Sequence, residues 1–479
     1  MARVMASGVF DLLHIGHLYY LEEAKKYGDE LIVVVACDET VRKKKHEPIM
    51  PAEERRKLVE ALKPVDKAVV GYEDDFLRIV EEIKPDVIGI TMTTVSLNQD
   101  LRGLRIAKKA CPDAKIVVGG PHPSAVPTEL MECVKDIDFV VIGEGEITIV
   151  ELMRALSQGK EDFNEIDGIV FRDKEGVIKL TPPRKLISNL DEIPIPTREF
   201  INFKKVKPGL PFGRRKFYSI MITSRGCPYR CIYCSKPVFG RTYRYRSVEN
   251  VLEEIEYLVS LGVKEIRFHD DTFTMIPKRT LKLCEELIKR KYDLIWSCTT
   301  RADRISKELL KKMKEAGCYH IAYGVESGSQ KVLDMAKRDM KVEQIKKAFQ
   351  ITKEVGIETS AFVMVGLPGE TKETLEETLL LIKKIKPDFF NVSEVGIFPK
   401  TELYEIARKE GIIGEINWCE YVGSKINPLN IGPLPQYIPR NLTKEDLDNA
   451  FRRLYLSYYL SPRTMLKQMK LIKHPRVLP

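Results

Sequence analysis

The sequence predicts an α/β protein: a doubly wound parallel, Rossmann-like sheet followed by a partial (βα)6 TIM-like barrel. Three observations carry this. Short apolar runs alternate with amphipathic helical runs over the first 160 residues, a second such series begins near 217, and an irregular Pro-rich stretch separates the two. At 479 residues the chain is also too long to fold around one core.

The first series has strand candidates "RVMAS" (3–7), "ELIVVVA" (30–36), "KAVVG" (67–71), "DVIGIT" (86–91), "AKIVVGG" (114–120) and "DFVVIG" (138–143). Helical patterns lie between most of them, such as "PAEERRKLVEAL", which starts on Pro and keeps its apolar residues on one side. Near-continuous apolar strands joined by helices make a parallel sheet, and six of them predict the order 3-2-1-4-5-6. "IDGIVFRDKEGVIKL" predicts a hairpin turning around Lys174–Gly176, and "NLDEIPIPTREF" and "KVKPGLPFGRR" are Pro-rich connectors. The second series places strands near 217–223, 264–268, 294–298, 319–325, 358–365 and 388–395, each followed by a helical run. Working residues of such a barrel belong at the C-terminal ends of its strands. A less regular tail follows and ends in a basic helix.

Composition narrows the functional classes. The net charge of +9, from 78 Lys+Arg against 69 Asp+Glu, is spread along helical faces and reads as solvated surface, so no nucleic acid is expected. No run of eighteen apolar residues is present, and the N-terminal apolar run carries an Asp and two His, unlike a signal peptide; a cytoplasmic protein is expected. Ten cysteines in such a chain argue against a disulfide framework. Seven are scattered (Cys37, Cys111, Cys133, Cys284, Cys298, Cys318, Cys419), and most of them read as small buried hydrophobes.

The other three cluster. "TSRGCPYRCIYCSKP" holds Cys227, Cys231 and Cys234 in the spacing C-x3-C-x2-C, on the loop after the first barrel strand. Three close thiolates make a soft metal site. Structural zinc wants a fourth ligand, whereas an iron–sulfur cube held by three cysteines leaves one iron open. On this motif and the βα series around it, residues 217–400 resemble the radical S-adenosylmethionine enzymes. The resemblance implies a [4Fe-4S] cluster, S-adenosylmethionine chelated at the open iron, and a 5′-deoxyadenosyl radical that abstracts hydrogen. It also implies an electron donor such as ferredoxin or flavodoxin and a small-molecule or lipid substrate, modified by methyl transfer, cyclisation or lipid chemistry.

The same resemblance implies binding residues. Tyr233 matches the aromatic position beside the adenine. In "RFHDDTFT", Asp270 and Asp271 stand where many members have Gly-Gly-Glu for the methionine amino group. Arg301 in "TTRADRI" is a candidate for the carboxylate, with a surface ion pair as its alternative. Glu326 in "IAYGVESGS" matches the ribose-binding acid, and Gly366 in "VMVGLPGET" lies where backbone would approach the adenine.

The N-terminus carries a second signature. "GVFDLLHIGH" places His14 and His17 at the first turn of a helix after a strand, where two imidazoles and a positive helix end suit a triphosphate. This segment resembles the cytidylyltransferase-like nucleotidyltransferases, archaeal-type flavin adenine dinucleotide synthases among them, and implies CTP or ATP. Lys43 to Lys45 are candidate phosphate contacts or a solvated loop. The match ends at "KPDVI", and the following residues resemble the second half of a cobalamin-binding domain, with Gly119-Gly120 as its Gly-Gly and "GEGE" (143–146) as its last turn. The cobalt-ligating D-x-H-x-x-G of such domains is missing: "DLLHIG" has the wrong spacing, and His46 lacks the flanking Asp and Gly.

Residues 81–88 therefore read as a seam within one composite, hybrid sheet. The expected organisation is a nucleotidyltransferase-like half domain (1–85), a cobalamin-binding-like half domain (86–160), hairpin and linker (161–216), barrel (217–415) and tail (416–479). Beside radical chemistry, two alternatives are nucleotidyl transfer to an acceptor such as flavin mononucleotide through His14 and His17, and a non-catalytic N-terminal binding module.

Overall fold

The computed structural model describes residues 3–8, 30–36, 52–60, 65–71, 80–198, 213–215, 217–414 and 434–462, with a few isolated positions beside them. The first sheet contains β1 (Arg3–Gly8), β2 (Glu30–Ala36), β3 (Lys67–Gly71), β4 (Val87–Thr91), β5 (Lys115–Gly119), β6 (Phe139–Val141), β7 (Ile169–Arg172) and β8 (Ile178–Leu180). Its order is β3-β2-β1-β4-β5-β6-β7-β8, so the first six strands follow the predicted order. They are parallel throughout, and the seam closes by pairing β1 with β4: Val4 faces Val87, Met5 faces Ile88 and Ala6 faces Gly89.

The predicted hairpin forms, with its turn at Gly176 in the left-handed region (φ +79°). It does not stand apart. β7 pairs antiparallel with β6 and lengthens the sheet to eight strands. Pairing protects the β6 edge, which would otherwise offer free backbone groups. Phe139, Phe163 and Phe171 pack edge to face across it, with centroids 4.8 and 5.6 Å apart. One face of the sheet is covered by a helix over Leu97–Ala110, which buries Leu97, Leu101, Leu104 and Ala107 along a single stripe. A helix over Gly145–Ser157 buries Leu152 and Met153 in a separate core with Val117 and Val141.

The second sheet holds β9 (Tyr218–Met221), β12 (Glu265–Phe268), β13 (Ile295–Thr300), β14 (Cys318–Glu326), β15 (Glu358–Val365) and β16 (Phe389–Glu394) in sequential order, all parallel. A short antiparallel ribbon, β10 (Ser224–Arg225) with β11 (Arg244–Tyr245), stands beside it. Three of the intervening helices start on side-chain caps: Ser247, Ser306 and Thr371 accept from the amides of Asn250, Leu309 and Thr374. The tail is more integral than expected. Its helix over Lys444–Tyr459 contributes Leu447, Leu454 and Tyr458 to the barrel core. Tyr458 and Tyr459 donate to the carbonyls of Pro387 and Phe390 at 3.2 and 3.0 Å.

Cys111, Cys284, Cys298 and Cys318 are buried free thiols, as expected. No helix among the described residues is long and apolar enough to cross a membrane.

Candidate active site

The cysteine loop leaves the C-terminal end of β9, and the β10–β11 ribbon closes its base. Gly226 makes the closure possible. Its φ is +80°, and a Cβ there would fall 2.3 Å from the Thr242 carbonyl oxygen. Lys236 folds the loop inward by donating to the carbonyls of Cys227 (2.9 Å) and Tyr229 (2.7 Å). Cys231 is buried and Cys227 half-buried. Cys234 is reached by solvent yet walled by protein; that crowding, helped by the neighbouring Cys231, Cys227 and Asp271 against Lys236, pushes its thiol up to about 11. Among the described residues, no group of three or more His, Cys, Asp or Glu closes around a single metal ion.

The two acids after β12 part company. Asp270 is buried and its carboxylate accepts from the Thr223 amide (2.7 Å), the Thr223 hydroxyl (2.6 Å) and the Ser224 hydroxyl (2.6 Å). It is used within the protein, locking the β9–β10 connection. Asp271 is exposed, and its carboxyl is raised by partial burial and the charge of Asp270.

Arg301, just past β13, is not the surface ion pair weighed from sequence. It is 2% exposed and grips Asp303 through two bonds of 2.8 and 3.0 Å. Its guanidinium stacks 3.5 Å above the Tyr229 ring, and Nη1 is buried without a hydrogen bond.

Glu326 ends β14 with φ +65°, a strained conformation for a non-glycine residue, at an irregularity in the pairing with β15. Burial raises its carboxyl, opposed by Arg338, Tyr233 and Arg301. The Tyr233 hydroxyl is buried and makes no hydrogen bond of ordinary geometry. Arg338 lies 3.4 Å from Glu326 Oε1 and 3.6 Å from Cys231 Sγ, and donates to the Gly324 carbonyl at 2.8 Å. It belongs to no motif seen in the sequence. The turn after a short helix over Gln330–Met335 brings it back onto the cysteine loop, where Ile232 donates to the Ala336 carbonyl.

Gly366 lies at the end of β15 with φ +95°, but its open side is filled by the chain itself: a Cβ would meet the Tyr437 carbonyl at 2.8 Å. Glu370, four residues on, is buried and accepts from the Gly366 amide at 2.6 Å, while its other oxygen has no partner. Burial, only partly offset by the Gly366 and Leu367 amides, pushes its carboxyl up to about 8.

A cavity of about 390 Å³ opens where the first sheet, the linker and the barrel meet. Gly89 and Gly119 lie on its sheet side, Ile149 and Met153 line it from the helix, Pro194 and Pro196 from the linker, and Arg225 and Phe239 from the cysteine loop. Gly119 leaves room there, since a Cβ would meet nothing closer than 3.7 Å. Gly120 serves the backbone instead: its φ is +100°, and a Cβ there would fall 2.9 Å from Thr91 Cγ2. On the cavity rim Glu144 accepts from Arg225 (2.8 Å), Arg244 (2.7 Å) and the Ile187 amide (2.9 Å). Burial alone would raise its carboxyl, but these three donors bring it below the usual carboxylate range. "GEGE" was visible in the sequence; its arginine partners, distant along the chain, were not. His14 and His17 lie outside the described residues.

An uncharacterized methyltransferase of Pyrococcus horikoshii is 34% identical over 398 residues, 82% of this chain and 83% of the relative. The radical SAM superfamily model matches residues 221–382. The chain belongs to that superfamily. A cytidylyltransferase-like model matches 5–144, running past the seam. The FAD synthase of Aciduliprofundum boonei is 59% identical over 88 residues, 18% of this chain and 59% of that enzyme's length. The radical SAM methyltransferase TsrM of Kitasatospora setae, solved with cobalamin and a [4Fe-4S] cluster bound, shares the fold with a TM-score of 0.68 at 18% identity, over 97% of this chain and 90% of that one. This protein is thus a radical SAM enzyme, and the expected fold class, family and enzymatic nature are borne out.

Proposed function

We propose that Cys227, Cys231 and Cys234 ligate a [4Fe-4S] cluster, and that Tyr233, Asp271, Arg301 and Glu326, joined by Arg338, bind S-adenosylmethionine beside it, for methyl transfer to a small-molecule or lipid substrate. The observation that carries this is the meeting of Arg338 with both Cys231 and Glu326 at the mouth of the barrel. The donor set fits. Three thiols on one loop offer one thiolate to each of three irons of a cube, leaving the fourth iron open. Arg301 Nη1, buried without a hydrogen bond, is a polar group awaiting a polar ligand. Bound together, cluster and cofactor supply a carbon-centred radical capable of hydrogen abstraction, with the electron drawn from a ferredoxin- or flavodoxin-like donor.

The protein's own part is positional. Asp271 offers a negative charge to an ammonium group, the Arg301 guanidinium faces a carboxylate, and Glu326 accepts from hydroxyls. Asp270 holds the loop on which the thiols stand. The 390 Å³ cavity, with Gly89 and Gly119 in its wall, suits the nucleotide tail of cobalamin, which when bound supplies a methyl carrier. With D-x-H-x-x-G missing from the sequence, no histidine is assigned below the cobalt.

The test is anaerobic reconstitution with iron and sulfide, reduction, and an assay of S-adenosylmethionine cleavage, with and without cobalamin. Wild type should release 5′-deoxyadenosine and Cys231→Ala should not. Absence of cluster formation in the wild type overturns the proposal.

A second reading, nucleotidyl transfer through His14 and His17, is favoured by the 59% identity to an FAD synthase. Pyrophosphate release from CTP or ATP in the presence of flavin mononucleotide supports it. Nucleotide binding without turnover supports a non-catalytic module instead.

A further inference from the structure

The ends of the cysteine loop are held by a carboxylate from the other sheet. Arg225 and Arg244 are cross-strand neighbours on the β10–β11 ribbon, one at each end of the loop. Side by side, two guanidinium groups repel. Glu144, 5% exposed, takes one bond from each, and Glu146 takes a second from Arg225 at 2.5 Å. Arg225 stands two residues before Cys227, and its guanidinium lies 5.1 Å from the ring centroid of Phe239, five residues after Cys234. The ribbon has only two paired positions, too few to hold a loop in one geometry unaided. The Glu144 anchor is rigid: it begins the turn into the helix over Gly145–Ser157 and also accepts from the linker amide of Ile187.

We infer that Glu144 is a positioning residue for the cluster-bearing loop, setting through Arg225 and Arg244 the spacing at which the three thiolates are presented. This rests on the reading of Cys227, Cys231 and Cys234 as cluster ligands. Outer partners that orient metal ligands change metal affinity by roughly 10- to 100-fold when lost. Loss of the Glu144 charge removes the one carboxylate shared by the two guanidinium groups, leaving Arg225 to Glu146 and Arg244 to the Ile187 carbonyl, and the loop ends separate with them.

The experiment compares wild type, Glu144→Gln, Arg225→Lys and Cys231→Ala after anaerobic reconstitution. It reads iron content, the electron paramagnetic resonance spectrum of the reduced protein, the rate of iron loss to a chelator, and the melting curve of the iron-free chain. The expected result is a cluster in Glu144→Gln with an altered spectrum and roughly tenfold faster iron loss, on a chain that still melts cooperatively. Arg225→Lys, which keeps the charge but loses the fork, should show the same changes and decides the matter if Glu144→Gln does not fold. A wild-type spectrum and wild-type chelation rate in the folded variant overturn the inference while leaving the cluster reading intact. Failure of the wild type to take up iron, like Cys231→Ala, overturns the cluster reading and this inference with it.

Discussion

The guanidinium of Arg338 lies 3.4 Å from the carboxylate of Glu326, and both are largely shielded from water. The pair joins the end of β14 to the cysteine loop, because the same guanidinium reaches Cys231 Sγ. Breaking one partner of such a pair leaves the other charged and buried. Arg338→Met should therefore lower the unfolding free energy of the iron-free chain by about 3 kcal/mol. Adding Glu326→Gln should restore most of it, with a coupling of roughly 1–3 kcal/mol in the double-mutant cycle. Urea denaturation of the four proteins measures this.

The cavity at the sheet junction can be filled without disturbing the barrel. Gly119 has no positive φ, and a Cβ there would only touch Val141 at an ordinary contact distance of 3.7 Å. Gly119→Val should fold normally, take up a full complement of iron and lose cobalamin uptake, read by visible absorbance. Undiminished uptake would exclude this cavity as the cobalamin site.

Gly366→Ala tests what the glycine accommodates. A left-handed alanine costs roughly 1–3 kcal/mol, and its methyl group would also push against the Tyr437 carbonyl. Lower stability together with faster hydrogen exchange at residues 434–438 is the expected outcome. Unchanged exchange there would mean that the segment does not depend on this contact.

Glu370 gives the fold a pH dependence. Its folded carboxyl is raised from 4.5 to about 8, so between these values the folded state holds a proton that the unfolded state has released. The stability it contributes is complete below the unfolded value and is lost as pH rises toward 8, with a slope of up to about 1.4 kcal/mol per pH unit. Glu370→Gln, neutral throughout, should flatten that part of the stability profile. Urea midpoints between pH 5 and pH 8 decide it, and an equally steep profile in the variant would assign the slope to another group.

What the sequence determined by itself is what local pattern determines. Apolar runs of strand length placed most strand ends within a residue or two, as at Lys67–Gly71 and Glu358–Val365, because burial on both faces requires continuous apolar residues. The order of the first six strands followed from right-handed crossovers, and the C-x3-C-x2-C loop from the chemistry of thiolates. The tertiary structure decided everything that depends on a partner distant along the chain. Asp270 and Asp271 are adjacent and chemically alike, yet donors from Thr223 and Ser224 occupy one and leave the other exposed. Arg338 and Glu144 have no local signature, because their meaning lies in Cys231 and Glu326 for one and in Arg225 and Arg244 for the other. At Gly366 the sequence shows only a glycine after a strand, and packing determines that the group beside its Cβ position is the Tyr437 carbonyl. The hairpin was legible as a hairpin; its union with β6 was not, since edge pairing depends on which strand is left uncovered once the sheet has formed.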